Sequence, residues 1–249
     1  MFSQESRCYY EANQLAEVIC QLRFPEILTI SANPPAQFQE MIRDTFPQYH
    51  LRQEVTAPKQ PPTPNYQFVS ADGIWRINLT GKFISLTCGR YLRWEDFAKQ
   101  LDKPLAAFIK LYKPAYFERI GLRYLNFFSR KALGLENIPY SQLLEACWLG
   151  PLAQEDVMPA AVTSCGIDTQ INLKGGCKVK IHAGPGMVKR NGQNDPEPKF
   201  IFDMDLFMPG QVPVNLSAGA LQTLHSQAFP IFRGAITDTL HDAMEPKTI

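Results

Sequence analysis

Three short runs with residue-by-residue alternation, Tyr66 to Ser70, Ile74 to Thr80 and Phe83 to Cys88, are separated only by Ala71-Asp72-Gly73 and by Gly81-Lys82. Spacers that short cannot hold a crossover helix, and their glycines supply the backbone conformations of tight hairpins, so the runs must pair as consecutive antiparallel strands. One side of such a meander is apolar and needs a cover, which follows at once. Trp94, Phe97, Leu101, Leu105 and Phe108 recur at helical spacing up to Tyr112, with Pro104 as an expected kink or restart. Upstream, the β-rich run from Val18 to Phe24 is stopped by Pro25, and Pro35 to Phe46 reads as a helix ended by Pro47. From Ala57 to Pro64 four prolines remove amide donors and fix φ, which predicts an exposed loop outside the sheet.

Beyond Pro114 the same order returns. Phe117 to Phe128 reads as a long strand and Tyr140 to Cys147 as a short helix. Three strands follow, at Ala160 to Leu173, Val179 to Ala183 and Phe200 to Phe207. An amphipathic helix then carries Leu221, Leu224, Ala228, Phe232, Ala235, Ile236, Leu240 and Ala243, with Pro230 as a second kink site. The expected fold is therefore α+β, a pseudo-duplicated β-α-β-β-β-α chain with halves 1–114 and 115–249. These form one compact unit, an antiparallel sheet with long kinked helices packed on one face. The opening strands share a local likeness, Cys20-Gln21-Leu22-Arg23-Phe24 against Ile120-Gly121-Leu122-Arg123-Tyr124.

The stretch Arg119-Ile120-Gly121-Leu122-Arg123-Tyr124-Leu125-Asn126 resembles a sporadically distributed bacterial family of this length whose function is unknown. Residues 16–25, Tyr91 to Phe97, Ile201 to Asp205 and Leu224 to Phe229 carry the same resemblance, so it covers nearly the whole chain. The family brings no activity to place on these positions. Its patchy occurrence implies a mobile or defence-associated setting.

Composition narrows the function classes. A formal net charge of +1 argues against a general polyanion binder, so nucleic acid is an unlikely partner class. No signal-type apolar run opens the chain, the uncharged stretch from Leu206 to Phe232 is broken by prolines and glycines, and no membrane span is expected. Cys8, Cys20, Cys88, Cys147, Cys165 and Cys177 show neither a C-x-x-C pair nor zinc-type spacing, which predicts free thiols and a cytoplasmic protein without a cofactor.

Period-2 alternation puts Arg119, Gly121, Arg123 and Leu125 on one side of their strand, and Asp203 and Asp205 together on theirs. Paired across the sheet they make an arginine–aspartate ladder. Left open, the arginines would hold an anionic ligand, and the aspartates would be weak candidates for a hard cation. The ligand-binding candidates are Arg119, Arg123, Asn126, Arg23, Arg90 and Tyr91, the last two from a Gly89-to-Trp94 segment that could form a cation–π clamp. Lys178, Lys180 and His182 read as a solvated strand face, and His225 as a satisfied helix residue.

No catalytic motif emerges, so the leading expectation is a non-catalytic binding or adaptor protein that recognises another protein. Its expected setting is a bacterial stress or phage-defence system of CRISPR type. A sensor of a small anion or nucleotide, with a pocket between sheet and helix, is the alternative. A metal-dependent enzyme acting on nucleic acid or nucleotide is third.

Overall fold

The computed structural model describes residues 2–54, 62–190 and 193–248. The strands are β1 Cys8–Tyr10, β2 Leu15–Arg23, β3 Gln48–Glu54, β4 Thr63–Val69, β5 Trp75–Leu79, β6 Phe83–Cys88, β7 Phe117–Phe128, β8 Ile167–Asn172, β9 Lys178–Gly186, β10 Lys189–Arg190, β11 Gln193–Asn194, β12 Lys199–Val212 and β13 Pro246–Thr248. The helices are α1 Leu28–Ala32, α2 Ala36–Ile42, α3 Trp94–Tyr112, α4 Ser217–Arg233 and α5 Asp238–Ala243. The fold is α+β with an antiparallel sheet. Two compact units interleave along the chain and cut across the halves 1–114 and 115–249. A meander unit holds 17–122 and 207–224, and a terminal unit holds 1–16, 123–206 and 225–249.

In the meander unit the strand order is β3-β4-β5-β6-β2, every neighbour antiparallel. Val18, Cys20 and Leu22 of β2, Tyr66 and Phe68 of β4, Ile77 and Leu79 of β5, and Ile84, Leu86 and Cys88 of β6 are all buried and share one side by alternation. Helix residues meet them there. Phe108 of α3 lies 4.7 Å from Phe24, Phe97 lies 5.8 Å from Trp75, and Phe38 of α2 lies 5.4 Å from Phe68, all between ring centroids. α3 runs unbroken through Pro104, which is itself buried in the apolar stripe, and ends at left-handed Lys113 just before Pro114. Gly81, in the β5–β6 turn, has no room for a Cβ, since one would sit 2.2 Å from the Ser31 hydroxyl, and its carbonyl accepts from Ile27 N–H.

β3 is a strand where none was expected, and β4 begins at Thr63, so Pro64 pairs with Gln53 rather than lying in a loop. The proline stands one rung from the end of the ladder, where a missing amide costs least. Residues 55–61, the rest of the expected proline loop, lie outside the described residues.

In the terminal unit the order is β7-β12-β9-β8, while β1 pairs with β13 and β10 with β11. Two expected helices are corrected. Residues 140–147 form separate 3-10 turns at Tyr140–Gln142 and Ala146–Trp148 instead of a helix, and the last helix ends at Arg233, past Pro230, before α5 starts afresh. One contact explains both breaks: Leu144 bridges to Ile236, Glu145 N–H donates to Ala235 C=O, and Thr237 N–H donates to Leu143 C=O. Backbone groups that pair with each other across the fold are withdrawn from two local helices at once. Thr237 then caps α5 by accepting from Leu240 N–H. The expected strand 160–173 shrinks to Ile167–Asn172, and Pro159–Ala161 is a 3-10 turn. All six cysteines are free, and among the described residues no helix is long and apolar enough to cross a membrane.

Candidate functional site

The side of the meander sheet opposite its apolar core is polar. Successive rungs place Gln67 beside Asn78, Asn78 beside Ser85, and Ser85 beside Gln21, because in each strand these alternate with the core residues. Gln67 Nε2 donates to Asn78 Oδ1 at 2.8 Å and Asn78 Nδ2 donates to Ser85 Oγ at 3.2 Å, a cross-strand chain of amide and hydroxyl groups. Gln67, Asn78, Ser85 and Thr87 are buried, as is Asn65, whose Nδ2 donates to the Glu54 carboxylate.

β3 continues these rungs outward, His50 against Gln67 and Arg52 against Asn65, and stands at the end of the strand order. All its residues but Glu54 are exposed, including Tyr49 at 42% and Leu51 at 51% on the side of Phe68, whose ring lies 5.7 Å from that of Tyr49. The combination is unusual for a sheet edge. Natural edges are blunted by lysine, proline, bulges or brevity. β3 has seven residues, with no lysine, proline or glycine among them.

Most of the ligand candidates make contacts within the fold. Arg123 Nε and Nη2 meet the two carboxylate oxygens of Asp203 at 2.7 and 2.5 Å, the arginine–aspartate pairing expected of the ladder. The side chains are 42% and 17% exposed, so this pair is half-buried and belongs to the weak class of ion pairs. Arg123→Ala is expected to cost about 1 kcal/mol in a urea titration rather than the roughly 3–5 kcal/mol of a fully buried pair; a loss above about 3 kcal/mol would contradict this ranking.

Arg119 turns back along its own strand. Its guanidinium carbon sits 4.5 Å from the centre of the Phe207 ring, and a Cβ on Gly121 would fall 2.2 Å from its Nη1. The glycine thus makes space for an arginine two residues away. Asn126 is 2% exposed and donates from Nδ2 to the Phe202 carbonyl at 3.1 Å, which ties it to a backbone. Arg23 is exposed and donates to Gln21 Oε1, Arg90 is exposed, and Tyr91 is buried with its ring 6.0 Å from Phe97. Among the described residues no three His, Cys, Asp or Glu side chains gather in a group that could hold a metal ion.

Two polar clusters lie in the terminal unit; in one His225 is the satisfied helix residue expected, though its partners were not foreseen, and the other was not read in the sequence. His225 is buried, with Arg7 Nη1 2.5 Å from Nε2 and Tyr124 Oη 2.9 Å from Nδ1. A guanidinium only donates, so Nε2 must accept, the proton sits on Nδ1, and the tyrosine oxygen receives it. The other cluster joins Ser129, Glu197 and Lys199. Ser129 Oγ donates to Glu197 Oε2 at 2.6 Å, and Lys199 Nζ lies 3.1 Å from that hydroxyl. A serine beside a lysine is one nucleophile arrangement. Here the ammonium is shared between Glu197 and Asp195, and the hydroxyl caps the turn after it by accepting from Ala132 N–H. Burial would raise the Glu197 carboxyl, but the Lys131 N–H, the Lys199 ammonium and the Ser129 hydroxyl outweigh it and bring it down to about 2. No sequence spacing announces either cluster, since their members lie 68 residues apart or more, except for Glu197 and Lys199.

Compared with protein-family models the chain matches none, and none of the curated proteins matches it either.

Proposed function

We propose that this chain is a non-catalytic binding protein that recognises another protein, with β3 as its docking strand. The observation that carries the reading is the edge strand: seven exposed or half-exposed residues without a lysine, proline or glycine, with Tyr49 and Leu51 exposed. Arg123, a candidate for an anion, and Asp203, a candidate for a cation, favour the reading indirectly, because they spend their charge on each other.

A duplicated origin is part of the proposal. β2, β4, β5, β6 and α3 answer to β7, β8, β9, β12 and α4, and the strands follow the same orders, β4-β5-β6-β2 and β8-β9-β12-β7. β3 has no counterpart among the described residues of the second half. An extra strand on one repeat alone fits a feature added for recognition. The expected setting, a bacterial stress or phage-defence system, is carried with the same reading and rests on the resemblance alone.

The test is photo-crosslinking in the cell of origin, with benzoylphenylalanine at position 51 and, as control, at Asn172 on β8. Position 51 is expected to trap one protein species that position 172 does not. No adduct at 51, or the same adducts at both, would end the proposal.

A further inference from the structure

The geometry points to the partner's docking element as an extended segment that alternates acidic and apolar residues and adds to β3 as a further strand. This rests on the docking role of β3 just proposed and names the chemistry that the edge would select. A strand laid beside β3, about 4.8 Å away, must send alternate side chains to the two sides of the sheet. On one side they would meet Tyr49 and Leu51, both large and exposed. On the other they would meet His50 and Arg52. The one acid of β3, Glu54, is held inward at Asn65 of β4, which leaves Arg52 as the charged group that the middle of this side offers an incoming strand. Carboxylates opposite Arg52 and apolar groups opposite Leu51 satisfy both sides, and opposite charges across a strand pair are stabilising where like charges are not.

A second copy of this chain fits less well. Antiparallel self-pairing centred on Leu51 sets Arg52 opposite His50 in two rungs, and centring on His50 sets Arg52 opposite Gln48; centring on Gln53 would set Arg52 opposite Glu54 but pairs only residues 52–54 of the strand. Neither of the two longer registers supplies an acid to the arginine.

The experiment is fluorescence anisotropy of the intact protein with three labelled peptides: alternating glutamate and valine, alternating lysine and valine, and the first composition with its glutamates and valines in separate blocks. The acidic alternating peptide is expected to bind at least tenfold more tightly than the other two, to weaken with salt, and to lose its advantage to the lysine peptide in Arg52→Glu. Arg52 is exposed, so that variant should fold, and an unchanged circular dichroism spectrum checks it. Equal binding of the three peptides, or a preference untouched by Arg52→Glu, overturns the inference. So does a dimer in light scattering that Leu51→Arg dissolves, which would assign the edge to a second copy. Crosslinking at position 51 separates the two levels: a specific adduct without peptide preference removes this chemistry and leaves the docking role standing, whereas absence of the adduct removes the docking role itself.

Discussion

Phe108→Ala is expected to lower the stability of the protein by about 3–5 kcal/mol, read from guanidinium unfolding, the largest effect of any substitution argued for this chain. Phe108 is fully buried on α3, its ring 4.7 Å from Phe24 at an interplanar angle of 32° and 5.6 Å from Tyr112. Truncation removes the transfer energy of a benzyl group and leaves a cavity. The surroundings can do little to close it, because Phe24 directly follows β2, whose residues are held by a six-rung register with β6. Phe108→Leu keeps most of the volume and should cost about 1–1.5 kcal/mol. If alanine costs no more than leucine, the ring is not the packing centre that its burial indicates.

That residue also marks what was legible in the sequence. The stripe from Trp94 to Phe108 could be read because helical periodicity is local, and the meander because its turns are two or three residues long. β3 was not legible. Gln48-Tyr49-His50-Leu51-Arg52-Gln53-Glu54 has only two large apolar residues, and both are exposed although they lie on the core side of the sheet, so the usual signal of a half-buried strand is weak in the very place where the strand is exposed. Residues 140–147 and 234–237 fail for another reason: each carries apolar residues at helical spacing with its neighbours, but the bridge between Leu144 and Ile236 takes backbone groups that either helix would need. Arg123 and Asp203 were readable as partners because alternation assigns faces strand by strand, whereas the arginine Arg119 was not, since its position depends on the absence of a side chain at Gly121.

The second large effect is expected at Arg233, the last residue of α4. Its side chain is 9% exposed and serves three groups: Nε donates to Glu5 Oε2 at 2.8 Å, Nη1 to the Ile236 carbonyl at 3.2 Å, and Nη2 to the Asp238 carboxylate. It thus ties the turn between α4 and α5 to the N-terminal segment. Arg233→Met keeps most of the stem but removes all three donors. The cost should stay below that of breaking a fully buried ion pair, because Glu5 and Asp238 are 52% and 85% exposed and can return to water. What cannot return is the carbonyl of buried Ile236, and an unsatisfied buried acceptor with the lost charge-assisted bonds gives about 2–3 kcal/mol. Arg233→Lys retains the charge but a single ammonium cannot span the three acceptors, so it should recover less than half of the loss. Limited proteolysis supplies the second readout. Glu5 lies just ahead of β1, which pairs with β13 over three residues only, so cleavage in the first 16 residues should rise in Arg233→Met and stay at the wild-type level in Arg123→Ala. Equal protection in both variants would show that the N-terminal segment is held by its strand pairing and not by the arginine.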